Sequence, residues 1–396
     1  MTGHKDTITH KICNFLSPNK IIFGTGAVDQ TAKEIKSLGR KHPLIVTDPG
    51  VVEFGLLKQV EDVLKSDKMD MGLYQKVVPE PPSHLVGECA QLVRDNSYDL
   101  IVGIGGGSSL DIAKGVAIMS TNSGNVLDYA GTDLVPRAGL PMILIPTTAG
   151  TGSEVTRVFV VTDEKDHNKK TVFSNYVLPN VAIVDPALTQ SMPHTVTADT
   201  GIDALVHAIE SYVSATANPF SDILSIEAIR LVAENLYPAY AKASNMNARI
   251  GMSLAATLAG MAFTSGGLGA VHALAYPLGT LFYLSHGRSM AVMLPYIIDY
   301  NRIGNLKKYG DVAAAMGVST EGRSEYDVSE ALINAVLQLL SILQIPTKLK
   351  DYGVEEKDIP NLVTGAMKQT RLFVPNPRDL MENDIERIYR KALQGF

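Results

Sequence analysis

Between residues 20 and 190, short apolar runs of strand character alternate with amphipathic helical stretches, and this alternation leaves the chain few architectures. "PLIVTD" ends at Asp48, "DLIVGIGGG" at Gly107, "PMILIPTT" at Thr148 and "VAIVDP" at Pro186, with helical patterns such as "AKEIKSLGR" and "LVGECAQLVRD" between them. Strand, helix, strand at this spacing predicts a parallel sheet covered by helices. After about residue 190 strand-like runs nearly vanish, and "PFSDILSIEAIRLVAENLYPAYAKA", "ARIGMSLAATLAGMAF" and "SEALINAVLQLLSILQ" follow one another with helical periodicity. A chain of 396 residues also exceeds what one hydrophobic core usually organises. The expectation is an α/β domain over residues 1–190 and an all-helical domain over 191–396. "SMPHTVTADTG" offers Pro193, Thr197 and Asp199 as start signals for the helix that follows. No repeat or low-complexity linker separates the halves, so they are expected to meet face to face with the active site in a cleft.

Composition narrows the function classes. A formal net charge of -6, with no long Lys or Arg run, excludes nucleic acid as an expected partner. Two cysteines, Cys13 and Cys89, make neither a disulfide framework nor a CxxC metal site, which fits a reducing, cytoplasmic setting. The polar N-terminal stretch lacks the apolar core of an export signal. Residues 250–284 are the most hydrophobic region, yet polar residues, glycines and Pro277 interrupt every span of roughly 18 residues, so no membrane partner is expected.

"DLIVGIGGGSSLDIAK" places Gly105, Gly106, Gly107 and Ser108 between a strand and a helix. Glycines let a backbone approach a pyrophosphate, and a helix N-terminus offers unpaired N–H groups and a favourable dipole. Three glycines equally make a tight turn, and the run from Gly103 is G-x-G-x-x-S, an incomplete match to the usual dinucleotide fingerprint. "PTTAGTGSE" is a second small-residue loop at a strand end, where Thr147, Thr148 and Thr151 present hydroxyls. Two such loops in one sheet favour a dinucleotide cradle. Asp48 is either an acid for the adenosine ribose, which favours NAD over NADP, or a strand-terminating residue ahead of the Pro49-Gly50 turn.

"GIDALVHAIESY" sets Asp203 and His207 four apart on one face of an apolar helix. Such a spacing suits two metal ligands, and it equally suits an Asp-His hydrogen bond. His272 in "GAVHALAYPLG" and His286 in "YLSHGRSM" also sit among apolar or small residues, whereas His4, His10, His42, His84 and His167 lie in polar contexts and are expected at the surface. Three imidazoles and one carboxylate form a donor set for Fe2+ or Zn2+.

At this level the chain resembles the iron-dependent, group III alcohol dehydrogenases. "GGGSSLDIAK", "PTTAGTGSEVT", "GIDALVHAIESY", "VHALAYPLG", "SHG" and "NPRDLMENDIERIY" look like that family's signatures in order and spacing, over nearly the whole chain. The resemblance implies a dehydroquinate synthase-like fold, with an α/β N-terminal dinucleotide-binding domain and an all-α C-terminal metal-binding and substrate domain. It implies metal ligation by Asp203, His207, His272 and His286. It implies cofactor binding by Asp48, Gly105, Gly106, Gly107, Ser108, Asp111, Thr147, Thr148, Thr151 and Lys169, with Lys170 an adjacent candidate for the lysine. A homodimer or higher homo-oligomer that transfers a hydride between NAD(H) and a small alcohol or aldehyde is the implied enzyme.

Two departures from the family pattern stand out. Tyr276 occupies the place of a histidine suspected of proton transfer, and a phenol with an unperturbed pKa of about 10 is a poor base at neutral pH. "PEPP" places Glu80 where an asparagine is common. One rival is a metal- and NAD-dependent cyclase or lyase of the dehydroquinate synthase type, which needs several cations around a phosphorylated substrate; of these the ligand-bearing segments carry only Arg288. A catalytically silent relative is the other.

Overall fold

Alternate residues of the apolar runs enter two different cores, and this periodicity builds the first half of the chain. In a computed structural model, which describes residues 12–165 and 168–396, the chain divides into two units. One is Leu16–Met192; the other is Pro193–Phe396 with the described residues before Leu16. His4, His10 and His167 lie outside the described residues, whereas His84 is exposed and His42 half-buried.

The strands of the first unit are β1 (Lys20–Phe23), β2 (Pro43–Val46), β3 (Gly72–Tyr74), β4 (Leu100–Gly105), β5 (Gly131–Thr132), β6 (Met142–Pro146), β7 (Val158–Thr162), β8 (Lys169–Phe173) and β9 (Val181–Val184). Its helices are α1 (Thr31–Ser37), α2 (Pro49–Glu53), α3 (Leu56–Ser66), α4 (His84–Asn96) and α5 (Gly107–Met119). Six strands form a parallel sheet in the order β1-β9-β6-β4-β2-β3. Leu44, Val46, Ile101 and Leu144 pack on the face of α4 and α5, while Ile45, Leu100, Val102 and Ile143 pack on the face of α1 and α3. Burial on both faces is why these strands read as continuous apolar runs.

A three-stranded sheet, β5-β8-β7, stands beside it, with β7 and β8 antiparallel. Lys114 of α5 ties this sheet to the helix. Its fully buried ammonium donates to Thr156 O (3.0 Å), Thr156 Oγ1 (3.0 Å) and Val158 O (2.8 Å), using all three protons.

The second unit contains α6 (His194–Val213), α7 (Pro219–Ala241), α8 (Met246–Gly266), α9 (Ala270–Phe282), α10 (His286–Asn301), α11 (Leu306–Ala315), α12 (Glu325–Ile342), α13 (Ile359–Met367) and α14 (Glu382–Gln394). Helix α6 begins earlier than its sequence signals suggest. Its first turn closes with Thr197 N donating to Pro193 O at 2.9 Å, so Thr197 and Asp199 lie inside the helix rather than ahead of it. No single helix among the described residues is long and apolar enough to cross a membrane; α8 and α9 reach that length only as a pair bent by 109°.

Burial pushes the Lys114 amine down to about 8, against the opposing pull of Asp111 and Glu154. Between that value and the free-lysine value near 10.5, the unfolded chain binds more protons at this site than the folded chain, so its contribution to stability rises with pH. That contribution is complete above the unfolded value and is lost as pH falls through the folded one. In chemical denaturation, the stability of the wild type relative to Lys114→Met is expected to grow from pH 8 to pH 9.5, and a gap independent of pH would contradict it.

Candidate functional site

The sheet lays three chain-distant loops side by side, because β2, β4 and β6 are neighbours and parallel, so their carboxyl ends share one edge. Asp48 follows β2, the run Gly105–Ser108 ends β4 and opens α5, and Thr147, Thr148 and Thr151 follow β6. Ligands of open α/β sheets bind at such carboxyl ends. Thr147 N donates to Gly105 O at 2.9 Å and Thr47 Oγ1 to Ile104 O at 2.8 Å, which fixes the loops to one another.

Close packing explains the glycines. Gly105 has φ +149°, and a Cβ there would stand 2.6 Å from Ser109 Cβ and 2.9 Å from Asp48 Oδ2. On Gly107 a Cβ would meet Thr151 Cγ2 at 2.8 Å. Gly106 caps α5 with no side-chain hydrogen bond, which leaves the first-turn N–H groups for another acceptor.

Asp48 serves the local fold with both oxygens. Oδ1 accepts from Val51 N at 3.1 Å as the cap of α2, and Oδ2 accepts from Ser109 Oγ at 2.7 Å. Each oxygen keeps a lone pair for a further donor. Asp111 turns toward the second sheet, accepting from Ser153 Oγ (2.7 Å) and Val160 N (2.9 Å). Burial raises its carboxyl above the ordinary range, and the charges of Lys114 and Lys169 act against that rise. Lys169 donates to Glu80 Oε1 at 2.7 Å, whereas Lys170 pairs with Asp163 at 3.6 Å. Glu80 adopts a left-handed backbone with φ 49°, a conformation that asparagine tolerates better.

In the helical unit, Asp203, His207, His272 and His286 bring one donor atom each within 4.8 Å of the others. Helix α6 carries the first two, α9 carries His272 in its first turn, and α10 begins at His286. Asp203 Oδ1 stands 3.8 Å from His207 Nε2 and 3.7 Å from His286 Nε2. These gaps exceed a hydrogen bond. They match donors about 2.1 Å from one shared ion, which at tetrahedral angles stand roughly 3.4 Å apart. Asp203 Oδ1 and His272 Nε2 are buried and have no hydrogen-bond partner, each a cost of about 1–3 kcal/mol that a cation removes. The residues present therefore fit a divalent metal.

Aromatic rings enclose the cluster. His207 stacks on Phe263 at 4.6 Å and on His272 at 4.9 Å between centroids, and Tyr276 stacks on His286 at 5.7 Å. Behind the donors lie two carboxylates, Glu210, which the sequence pattern does not single out, and Asp199, which reads there as a helix start signal. Glu210 Oε2 lies 2.6 Å from His272 Nδ1, and Oε1 accepts from Val271 N at 2.6 Å. Asp199 accepts from Ser285 Oγ and from Arg288 Nε, both at 2.8 Å, and so fastens the start of α10 to α6. Gly287 lets the two backbones meet, since a Cβ there would lie 2.3 Å from Asp199 O. Helical spacing was the available signal, because Asp199, Asp203, His207 and Glu210 fall on one face at intervals of four, four and three.

Comparison with known proteins gives this geometry a family. Residues 18–186 match the family model for iron-containing alcohol dehydrogenase, and residues 197–393 match that for the C-terminal part of the Fe-containing alcohol dehydrogenase family. Long-chain-alcohol dehydrogenase 1 of Geobacillus thermodenitrificans (strain NG80-2) is 44% identical over 375 residues, with 94% of each chain covered. The crystal structure of a 1,3-propanediol oxidoreductase superposes with a TM-score of 0.94 at 39% identity, covering 96% of this chain and 100% of that one. A sulfoacetaldehyde reductase from Bifidobacterium kashiwanohense, solved in complex with NAD+, superposes with a TM-score of 0.89 at 30% identity, covering 97% and 99%. The chain belongs to the iron-containing alcohol dehydrogenase family, oxidoreductases that act on CH–OH groups.

Proposed function

We propose that this chain transfers a hydride between NAD(H) and a small alcohol or aldehyde, with Asp203, His207, His272 and His286 holding a divalent ion, iron in preference to zinc. The convergence of four buried or half-buried donors, two of whose atoms lack a hydrogen-bond partner, carries the reading. A divalent ion so held supplies Lewis acidity, which lowers the pKa of an alcohol and polarises a carbonyl. Asp203 offsets part of the ion's charge, and the stacked rings of Phe263, His207 and His272 keep water from one side of the donors. Tyr276, stacked on His286, supplies a hydroxyl donor where the family pattern has a histidine.

On the sheet unit, Gly105, Gly106, Gly107 and Ser108 with Thr147, Thr148 and Thr151 form the pyrophosphate cradle. Asp48 takes the adenosine ribose and repels a 2'-phosphate, which makes NAD the cofactor. The NAD+ complex of the sulfoacetaldehyde reductase supports this assignment. Asp111 accepts from Ser153 of the second loop, and Lys169, held by Glu80, acts on the Asp111 carboxyl through its charge. Compact residue domains divided near residue 190, a homo-oligomeric state and a reducing cytoplasmic setting complete the proposal.

Anaerobically purified protein loaded with iron(II) tests it against alcohols that span ethanol, 1,3-propanediol and long-chain primary alcohols. Absorbance of NADH is expected to rise with at least one of them, to cease on chelation and to return with iron(II). Turnover that survives removal of the metal, or no reaction with any of these alcohols, would overturn the reading. Asp48→Asn keeps the cap on Val51 while removing the charge. The ratio of kcat/KM for NAD over NADP is expected to fall about tenfold or more in this variant, and an unchanged ratio would remove Asp48 from the account.

A further inference from the structure

We propose that Glu210 is the positioning residue of the metal centre: it fixes the tautomer of His272 that leaves Nε2 bare, and it caps the helix that carries this ligand. The inference rests on His272 being a metal donor, as proposed above. Glu210 is 6% exposed, and no lysine or arginine pairs with it among the described residues. A carboxylate so placed is costly to keep ionised unless N–H donors compensate it.

One such donor comes from the backbone of α9, and a ring nitrogen of the same helix faces the carboxylate. Its N-cap, Gly269, has no side chain to satisfy the first-turn N–H groups. Val271 N donates to Glu210 Oε1 at 2.6 Å, and Ala270 N donates to Asn376 Oδ1 at 3.2 Å. The cap is therefore supplied from another helix, and its negative charge lies at the favourable end of the α9 dipole. The same carboxylate meets His272 Nδ1 at 2.6 Å through Oε2.

An ionised carboxylate only accepts hydrogen bonds. Facing it, a neutral imidazole must carry its proton on Nδ1, so Nε2 keeps a lone pair. That nitrogen is buried and has no hydrogen-bond partner. Carboxylates behind metal-binding histidines act in this way, setting ring orientation and basicity.

Glutamine in the same place reverses the logic without changing the side chain's size. Its single oxygen is needed by Val271 N–H, which turns the amide NH2 toward Nδ1. The imidazole then accepts at Nδ1 and carries its proton on Nε2, where it excludes a metal. A purely structural role for Glu210 predicts no such reversal, since the cap on α9 is retained.

The test compares wild type and Glu210→Gln without relying on turnover. Zinc and iron(II) affinities are measured by competition with a chelator, and the tautomer of His272 is read in apoprotein from 15N-histidine side-chain NMR. The expected result is an apparent Kd for metal raised about 10–100-fold or more, with the proton moved from Nδ1 to Nε2. Equal affinity with an unchanged tautomer would overturn the proposal. Should the variant fail to fold, the wild-type spectrum alone decides: a proton on Nδ1 of His272 supports it, and a proton on Nε2 refutes it. A wild type that binds no metal would count against the metal centre itself, while the tautomer still tests Glu210.

Discussion

Buried polar atoms without partners are the constraint around which the helical unit is built. Asp203 Oδ1 and His272 Nε2 stand within the same small cluster, buried and without a hydrogen-bond partner. Leaving them so is unfavourable, and replacing them with apolar groups is the cheaper solution for a core that has no other need of them. Their retention makes sense when a cation completes the set. Much of the surrounding structure then serves to hold donors in place: Asp199 fastens α10 to α6, and Glu210 holds the start of α9.

The sheet unit meets a different demand. An anion is best held by backbone N–H groups, and these are approachable only where side chains are missing. Gly105, Gly106 and Gly107 carry no side chains at the loop proposed for the pyrophosphate, and Thr148 and Thr151 pack against Gly106 and Gly107. Parallel pairing of β2, β4 and β6 brings the acid of one loop and the hydroxyls of another to the glycines of a third. Asp48 illustrates the economy of the arrangement, since one carboxylate caps α2 and accepts from Ser109.

Much of this was legible in the sequence, for identifiable reasons. A strand buried on both faces needs an unbroken apolar run, so β2, β4, β6 and β9 announced themselves. Asp203 and His207 stood out because charged and polar groups at helical spacing are rare within an apolar stretch. Glu210 lies in the same stretch but does not stand out there. Followed by Ser211 and Tyr212 it reads as the polar edge of a helix, and its partners on α9 lie 61 and 62 residues further along. Asp199 reads as a helix start signal, yet its bonds reach residues 86 and 89 positions away. The small sheet leaves no such signal, because β7 and β8 are half-buried at most positions rather than buried throughout, and β8 opens with two lysines, one of which finds Glu80 across 89 residues. Local pattern reveals what a residue is; only the fold reveals what it meets.

The central claim, that four side chains of one helical unit share a single divalent ion, is most directly tested by anomalous diffraction from crystals of anaerobically iron-loaded protein. The expected map has one strong iron peak about 2.0–2.2 Å from Asp203, His207, His272 Nε2 and His286. An ion bound elsewhere, or donor atoms turned away from a common point in the loaded crystal, would contradict the account.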